Sequence, residues 1–182
     1  MAFDITPDSN HKFDLALLLN NVEIAYKIAE QQASVEKWRK VGDIALAKGS
    51  FSLAETCYDK SSDFNSLLLF YSSYGDMAGL QNLAVRAEAA GKFNIAFEAA
   101  FMTADVDRCL DVLLKAKRMG EAAHFAKSHA PSRLIEVTRQ WSDYLSQQGL
   151  PYQPEVTEPS SERLDLERKM RALYKEPRPS AD

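Results

Sequence analysis

Histidine and cysteine are the residue types in this chain whose chemistry could serve metal binding or nucleophilic catalysis. His124 and His129 lie five positions apart, which places them on different faces of a helix, and no cysteine is near them in the sequence. Zinc sites need clustered ligands at shorter, regular spacings. The spacing therefore predicts no metal site, and nothing else in the chain predicts a cofactor.

Two cysteines, Cys57 and Cys109, are the candidate nucleophiles. Each is flanked by apolar residues at core spacing, in the segments AETCYDK and DRCLDVLL. A buried cysteine packs as a small apolar side chain, and we favour that interpretation over a reactive thiol. The pair defines no disulfide framework, and reduced thiols are expected. The glycines stand singly rather than in a phosphate-binding loop, so we predict that the chain is not an enzyme.

The length and charge of the chain favour a protein of ordinary globular type. Its 182 residues carry a formal net charge of −4, which argues against a nucleic-acid surface. The basic runs at 37–40 and 115–118 are interpreted as exposed helix sides rather than as sites for an acidic partner or a lipid head group. The longest apolar run, Leu67 to Tyr71, is too short to cross a bilayer, and a soluble intracellular chain is expected.

The elements that position these side chains are predicted to be helices. No proline occurs between Pro7 and Pro131, and alanine and leucine abound there. Single breaker pairs, such as Gly49-Ser50, separate the periodic runs; glycine suits the residue after a helix, and serine or aspartate suits the N-cap that follows. Ser34 and Asp63 are further N-cap candidates. The predicted helices are roughly 9–19, 22–32, 35–48, 51–61, 64–74, 77–90, 93–103, 106–117, 120–129 and 132–147.

A short phrase recurs at the start of three of these helices. In NNVEIA, GSFSLA and GKFNIA, a breaker is followed five residues later by alanine, at Ala25, Ala54 and Ala96. A small side chain there lets two helix backbones approach closely. Breakers at 20, 49, 75 and 104 are spaced by 29, 26 and 29 residues, about one helical hairpin per interval. Such a period is typical of a solenoid, in which each hairpin buries its face against the next.

One hairpin approaches the tetratricopeptide pattern. Valine stands where that pattern has leucine, alanine where it has tyrosine, tyrosine where it has phenylalanine, and the closing proline is missing. The other hairpins are less regular, so we predict an all-α, irregular α-solenoid of tetratricopeptide-like hairpins. The residues that carry the pattern are Trp38, Val41, Gly42, Ala45, Ala54 and Tyr58.

The helix that follows Pro131 is our candidate for a partner-binding face. Its apolar residues recur at helical spacing, and the terminal helix of a solenoid otherwise leaves side chains such as Trp141 exposed. The predicted contact residues are Leu134, Val137, Trp141, Tyr144 and Leu145.

Beyond this helix the chain changes character. We predict a solenoid segment over 1–148, a proline-rich linker over 149–159 and an amphipathic helix with a frayed end over 160–182. The tail helix should carry the ion pairs Asp165–Lys169 and Glu167–Arg171. It could dock back on its own solenoid or into the groove of a partner, and both remain open. Its apolar side is Leu166, Met170, Leu173 and Tyr174.

The order of these segments resembles the helical region of coatomer beta-prime subunits, which belong to the COPI vesicle coat. The shared features include FDLAL from Phe13, IAY from Ile24, Lys37-Trp38 and the LLL run from Leu67. The resemblance continues through GKFNIAFEAAF and the segment 109–132, and covers roughly 12–147. The alpha subunits of the same coat are similar in the early hairpins and less so after Gly91. The tail matches neither.

The resemblance implies a scaffold rather than a cargo receptor, since the WD-repeat propellers that read sorting signals in beta-prime subunits are not in this chain. It implies pairing with the alpha subunit and other coat subunits in Golgi-to-ER and intra-Golgi transport. It also implies a cytoplasmic protein, peripheral on Golgi membranes and COPI vesicles, with indirect membrane contact and no nucleic acid. The alternatives are a scaffold of another propeller-plus-solenoid complex, such as an intraflagellar or other trafficking coat, or a small helical ligand-binding domain.

Overall fold

The computed structural model describes residues 8–152, 154–155 and 157–175, with the side chains of 174 and 175 excepted. Its described residues form α-helices and one 3₁₀ turn, Pro131–Arg133, and contain no strand. The all-α solenoid prediction is confirmed. The helices are α1 Ser9–Leu18, α2 Val22–Gln32, α3 Val35–Ala47, α4 Phe51–Ser61, α5 Phe64–Tyr74, α6 Met77–Ala89, α7 Phe93–Met102, α8 Val106–Lys115, α9 Met119–His129, α10 Leu134–Gln147 and α11 Ser161–Lys175.

The short links between helices share one backbone device. A single residue takes a left-handed conformation, with φ of +73° at Gly49 and +52° at Asn20, and the next residue is the N-cap of the following helix. At most of these turns the amide of that N-cap residue donates to the carbonyl oxygen five positions earlier, as from Ser50 N to the Ala45 carbonyl oxygen at 2.8 Å. This bond closes the preceding helix as a Schellman motif and leaves no room for a longer loop.

The residue five positions after each left-handed residue is buried. The recurring alanines Ala25, Ala54 and Ala96 are at most 1% exposed, and at the other turns the same position holds a buried Trp, Leu, Cys or Ala. The repeating feature is therefore burial at the fourth position after the N-cap, and alanine is one of several residues that satisfy it. The full set is Ala25, Trp38, Ala54, Leu67, Leu80, Ala96, Cys109 and Ala122.

The chain divides into two compact units, Met1–Met77 and Ala78–Asp182, here the N-terminal and C-terminal units. In the N-terminal unit, α3 and α4 form a tight antiparallel hairpin. Gly42 allows the close approach, because a Cβ atom there would lie 2.7 Å from Tyr58 Cε1. The core of this unit contains Phe13, Ala16, Ala25, Ile28, Ala29, Trp38, Val41 and Cys57.

In the C-terminal unit, α7 packs on α8, α8 on α9, and α9 on α10. Alanines on α9 let α8 and α10 approach it from two sides, and the core is otherwise built from branched apolar side chains. Its buried members are Leu110, Leu113, Ala122, Ala123, Ala126, Ala130, Leu134 and Val137.

The chain after α10 returns to helix only at Ser161. The described residues between 149 and 160 form no helix, and they include the prolines of the predicted linker. α11 lies in the C-terminal unit and contacts the 3₁₀ turn. The division into segments 1–148, 149–159 and 160–182 stays a prediction. Within the described residues, no helix combines the length and apolar character needed to span a lipid bilayer.

Candidate interaction surfaces

The two cysteines lie in the helix cores and are not poised for chemistry. Cys57 and Cys109 are at most 1% exposed, and both are free thiols. Burial raises the pKa of the Cys57 thiol to about 11, with Lys60 opposing the shift weakly, and raises that of Cys109 to about 12. Both therefore stay protonated at neutral pH, and their interpretation as small apolar packing residues is confirmed.

His129 on α9 packs against aromatic rings, and His124 on the same helix is exposed. The His129 ring lies 4.5 Å from the Phe125 ring centroid and 6.1 Å from that of Phe101. Across the described stretches of the chain, no group of three or more His, Cys, Asp or Glu side chains is arranged to hold a metal ion.

The basic runs are engaged within the chain. Lys37 donates to Asn10 Oδ1 at 2.6 Å and its Nζ lies 5.1 Å from the Phe13 ring centroid, while Arg39 pairs with Asp63 at 2.6 Å. In the second run, Lys115 pairs with Glu88. Intrachain contacts of this kind support their interpretation as helix-surface residues.

The predicted partner-binding stripe on α10 is divided between core and surface. Leu134, Val137 and Leu145 are at most 9% exposed, so these three side chains are packed inside the unit. Trp141 and Tyr144 are half-buried and keep part of their rings accessible. A partner contact through α10 therefore stays a prediction that concerns the last two.

Trp141 is held in place on two sides. Its Cζ2 lies 3.4 Å from where a Cβ on Gly120 would be, so the indole packs closely on α9 with space left for an ordinary contact. On the other side, the Tyr152 ring lies 5.7 Å away, centroid to centroid. Tyr152 is 58% exposed, so the two rings present an aromatic edge that can reach a partner.

A second aromatic surface lies on α7 and α9. Phe97 and Phe101 stack at 6.0 Å on α7, and Phe125 packs edge-on against Phe97 at 5.5 Å. Phe101 is 52% exposed. We call Phe97, Phe101, Phe125 and His129 the aromatic patch.

The aromatic patch borders an open groove of about 400 Å³. Phe97, Phe125 and His129 line its apolar wall, and Arg118 and Glu121, joined at 2.7 Å, lie on its charged rim. An apolar wall with a charged rim is suited to an apolar side chain of another protein.

The aromatic patch was not predicted from the sequence, although two pairs of its residues have a spacing that places them on one helix face. Phe97 and Phe101 stand four residues apart in GKFNIAFEAAF, and Phe125 and His129 stand four apart on the next-but-one helix. Residues four apart share a helix face. Neither spacing alone, however, predicts that the aromatic side chains of α7 and α9 contact each other, because α8 lies between these helices in the sequence.

Comparison with known proteins identifies the family. The family model described as the COPA/B TPR domain matches residues 1–142. Coatomer subunit beta' of Drosophila melanogaster is 37% identical over 144 residues, which are 79% of this chain and 16% of that protein. Coatomer subunit beta'-3 of Arabidopsis thaliana is 41% identical over 145 residues, and coatomer subunit beta' of Rattus norvegicus 36% over 145, each covering 80% of this chain and 16% of the relative.

The aligned segment thus spans about a sixth of each relative's length, and the expected resemblance to coatomer beta-prime subunits is confirmed. The matched residues contain the whole run of left-handed turns from α1 to α9 and most of α10. From this match, the chain belongs to the COPA/B TPR domain family.

Proposed function

We propose that this chain is a non-enzymatic scaffold segment of the COPI coat, pairing through its solenoid with the alpha subunit of coatomer. The observation that carries the proposal is the family match over 1–142, together with relatives named as coatomer beta' subunits. In this role the chain acts in Golgi-to-ER and intra-Golgi transport, on the cytoplasmic face of Golgi membranes and COPI vesicles. It would reach the membrane only through the assembled coat.

The surfaces of the chain support a role in protein binding. The described residues offer open aromatic surface at Trp141, Tyr152 and the aromatic patch, and the thiols that could act as nucleophiles are buried and protonated. Aromatic side chains are enriched where proteins bind one another, because they bury a large area at a small entropic cost.

We propose the half-exposed side of α10 as the contact face, with Trp141 and Tyr144 at its centre. Both side chains keep apolar ring surface in contact with solvent, and the packing of Trp141 against Gly120 holds the indole in one orientation. A pre-oriented ring loses little freedom on binding. The aromatic patch is the rival face in the same unit.

The test is light scattering after size exclusion, on the chain alone and mixed with the full-length alpha subunit of coatomer from the same organism. A one-to-one complex is expected at micromolar concentration. Tyr144→Ala and Trp141→Ala should each remove it, whereas Phe101→Ala, which truncates a 52% exposed aromatic ring on the rival face, is the control. Circular dichroism must show that each variant keeps its helical content, because Trp141 also packs on α9.

Each outcome decides one part of the proposal. Loss of the complex with Phe101→Ala alone moves the contact to the aromatic patch and keeps the pairing. Two separate peaks with the wild-type chain contradict pairing with the alpha subunit, and scaffolds of other transport complexes then become the better interpretation.

A further inference from the structure

The tail helix α11 lies beyond the residues matched by the family model and is attached to the C-terminal unit through a buried carboxylate. Glu167 is only 7% exposed. Its Oε2 accepts from the Ser132 amide at 2.8 Å and its Oε1 from the Ser132 hydroxyl at 2.7 Å. Ser132 lies in the 3₁₀ turn that leads into α10, so a side chain 35 residues away supplies an acceptor for that helix start.

A guanidinium completes this attachment. Arg171 donates from Nε to Glu167 Oε1 at 2.9 Å, and its two terminal nitrogens donate to the two oxygens of Asp107, at 2.5 and 3.0 Å. Asp107 belongs to the first turn of α8 and also faces Arg133 at 3.7 Å. The result is one connected network of charged side chains that joins α8, the 3₁₀ turn and α11.

The apolar side of α11 contributes little to this attachment. Leu166 is 60% exposed, Met170 44% and Leu173 65%, so the stripe faces solvent. Leu164 is half-buried, and Arg163 reaches the Lys127 carbonyl oxygen on α9 at 3.3 Å. An amphipathic helix usually docks by its apolar stripe. Here the orientation is reversed, and hydrogen bonds to charged groups hold the helix.

Because charged groups hold α11 in place, its docking should depend on the salt concentration. Charge pairs at a surface are weakened by salt, whereas apolar contacts are kept or strengthened by it. The Ser132 amide belongs to an exposed residue, so water can replace Glu167 there without unfolding α10. Undocking therefore leaves no buried donor unsatisfied, and it frees the surface at Asp107 and Arg133, whereas the apolar stripe is exposed in the docked helix already.

We propose that α11 is an electrostatic strap, closed over the α8 and 3₁₀-turn end of the C-terminal unit by Glu167 and Arg171 and opened without unfolding the helices beneath it. While the strap is closed, Arg171 occupies both carboxylate oxygens of Asp107. This inference goes beyond the scaffold role and does not depend on the identity of the coat partner.

Hydrogen exchange followed by mass spectrometry on the full chain tests the strap. In low salt, the amides of 161–175 should exchange slowly, and Glu167→Gln or Arg171→Met should accelerate their exchange by about tenfold or more. Amides of α9 and the later turns of α10 should not change. Asp165→Asn is the matched control, because Asp165 pairs along its own helix, with Arg168 at 3.2 Å.

Salt provides a second measurement that needs no substitution. Raising the salt from about 0.05 M to about 1 M should accelerate exchange in 161–175 of the wild-type chain, and much less in Arg171→Met, whose strap is already open. Exchange in α11 that is insensitive to salt and to both substitutions would overturn the proposal. Acceleration spread equally through α8, α9 and α10 would also overturn it, since the strap would then be part of the fold.

Discussion

Gly42 faces the Tyr58 ring across the α3–α4 hairpin, and an added methyl group has no space there. It would lie 2.7 and 2.9 Å from two ring carbons of Tyr58, whose hydroxyl is fixed by Asp43 Oδ1 at 3.0 Å. Overpacking of a core costs about 1–3 kcal/mol, and the gain in helix propensity returns at most about 1 kcal/mol. Gly42→Ala should lower the free energy of unfolding by about 1–2 kcal/mol, measured by urea denaturation.

Gly120→Ala is the control for this prediction, because it is the same substitution at a second helical glycine. Its Cβ would lie 3.4 Å from Trp141 Cζ2, an ordinary contact. We expect no loss of stability there. Equal losses at Gly42 and Gly120 would show that the close approach of α3 and α4 does not determine the effect.

Ala54 tests the small position of the recurring phrase. Its side chain is fully buried in α4, so a leucine there must displace its neighbours. Ala54→Leu should lower the free energy of unfolding by about 1–3 kcal/mol. A melting curve like that of the wild-type chain would contradict a helix crossing at Ala54; Ser52→Leu, at an exposed position on the same helix, should be nearly neutral.

The buried thiols make a kinetic prediction. With its pKa raised by burial from 9.0 to about 11, Cys57 carries about a hundredfold less thiolate at pH 8 than a free cysteine does. Both Cys57 and Cys109 should therefore react with a chromogenic disulfide much more slowly in the folded chain than in denaturant. Rapid reaction of either thiol in the folded state would contradict its burial.

The sequence predicts burial of the cysteines and alanines, because their neighbours repeat at helical spacing. It does not predict that Gly42 meets Tyr58, since that contact depends on how two helices cross. Trp141 illustrates the same limit. Helical spacing places it on one stripe with Val137, but only the tertiary packing determines that Val137 is fully buried and Trp141 is not.

At the scale of the helices, the residues at the turns are the ones that predict where each helix begins and ends. Helices α1 to α7 lie within one residue of their predicted bounds, because glycine or an N-cap residue marks each junction. The junction at Lys117 is less well predicted: α8 ends at Lys115, two residues early. Lysine at φ +61° is neither a typical left-handed residue nor a breaker, so it gives no signal.

For the tail helix, the sequence predicts the helix but not how it is attached to the C-terminal unit. The Glu167–Arg171 pair forms, but Asp165 pairs with Arg168, three residues on, rather than with Lys169 as predicted. Of the two open alternatives, docking on its own solenoid is the one observed. Its polar side makes the contact, and no periodicity indicates which of several acids will reach a helix start.

Asp63 gives a prediction for a helix N-cap. Its Oδ1 accepts from the Ser66 amide at 3.2 Å at the start of α5, and its Oδ2 pairs with Arg39 at 2.6 Å. Asp63→Ala should lower the free energy of unfolding by about 1–2 kcal/mol, because it removes the cap and leaves the amide without its acceptor.

Asp63→Asn separates the two contributions. The amide oxygen keeps the cap while the charge that attracts Arg39 is lost, so we expect a smaller loss than with alanine, as the Arg39 side chain is largely exposed. Urea denaturation of the three chains decides between them. Equal losses for Asn and Ala would assign the stability to the ion pair instead of the cap.

At the scale of the whole molecule, the sequence predicts an all-α solenoid but not which aromatic side chains stay exposed on it. Repeated turns determine which residues face the two cores, and the family match extends over that repeated part. The exposed aromatic surfaces are the ones that this packing leaves uncovered. The aromatic patch and the half-exposed Trp141 emerge only once each unit has buried its apolar faces.

The stability of the whole chain should fall in acid because of two carboxyl groups around α11. The hydrogen bond from Arg171 lowers the pKa of Asp107 below its ordinary 3.8. Burial alone would raise the pKa of Glu167, but the bonds from Ser132 and Arg171 outweigh it and hold the pKa below 4.5. A carboxyl whose pKa is lower when folded stabilises the fold above its unfolded pKa, and that stabilisation is lost as pH falls through the folded value.

These two groups should therefore leave the urea midpoint unchanged between pH 7 and about 5. At pH values below 4.5 the midpoint should decrease. The double variant Asp107→Asn with Glu167→Gln cannot titrate at either position, so its midpoint should start lower and fall less steeply. Because α11 is held by these groups, its amides should lose protection before those of α9 as the pH falls. Parallel curves for the wild-type chain and the double variant would show that the acid response of this molecule arises elsewhere.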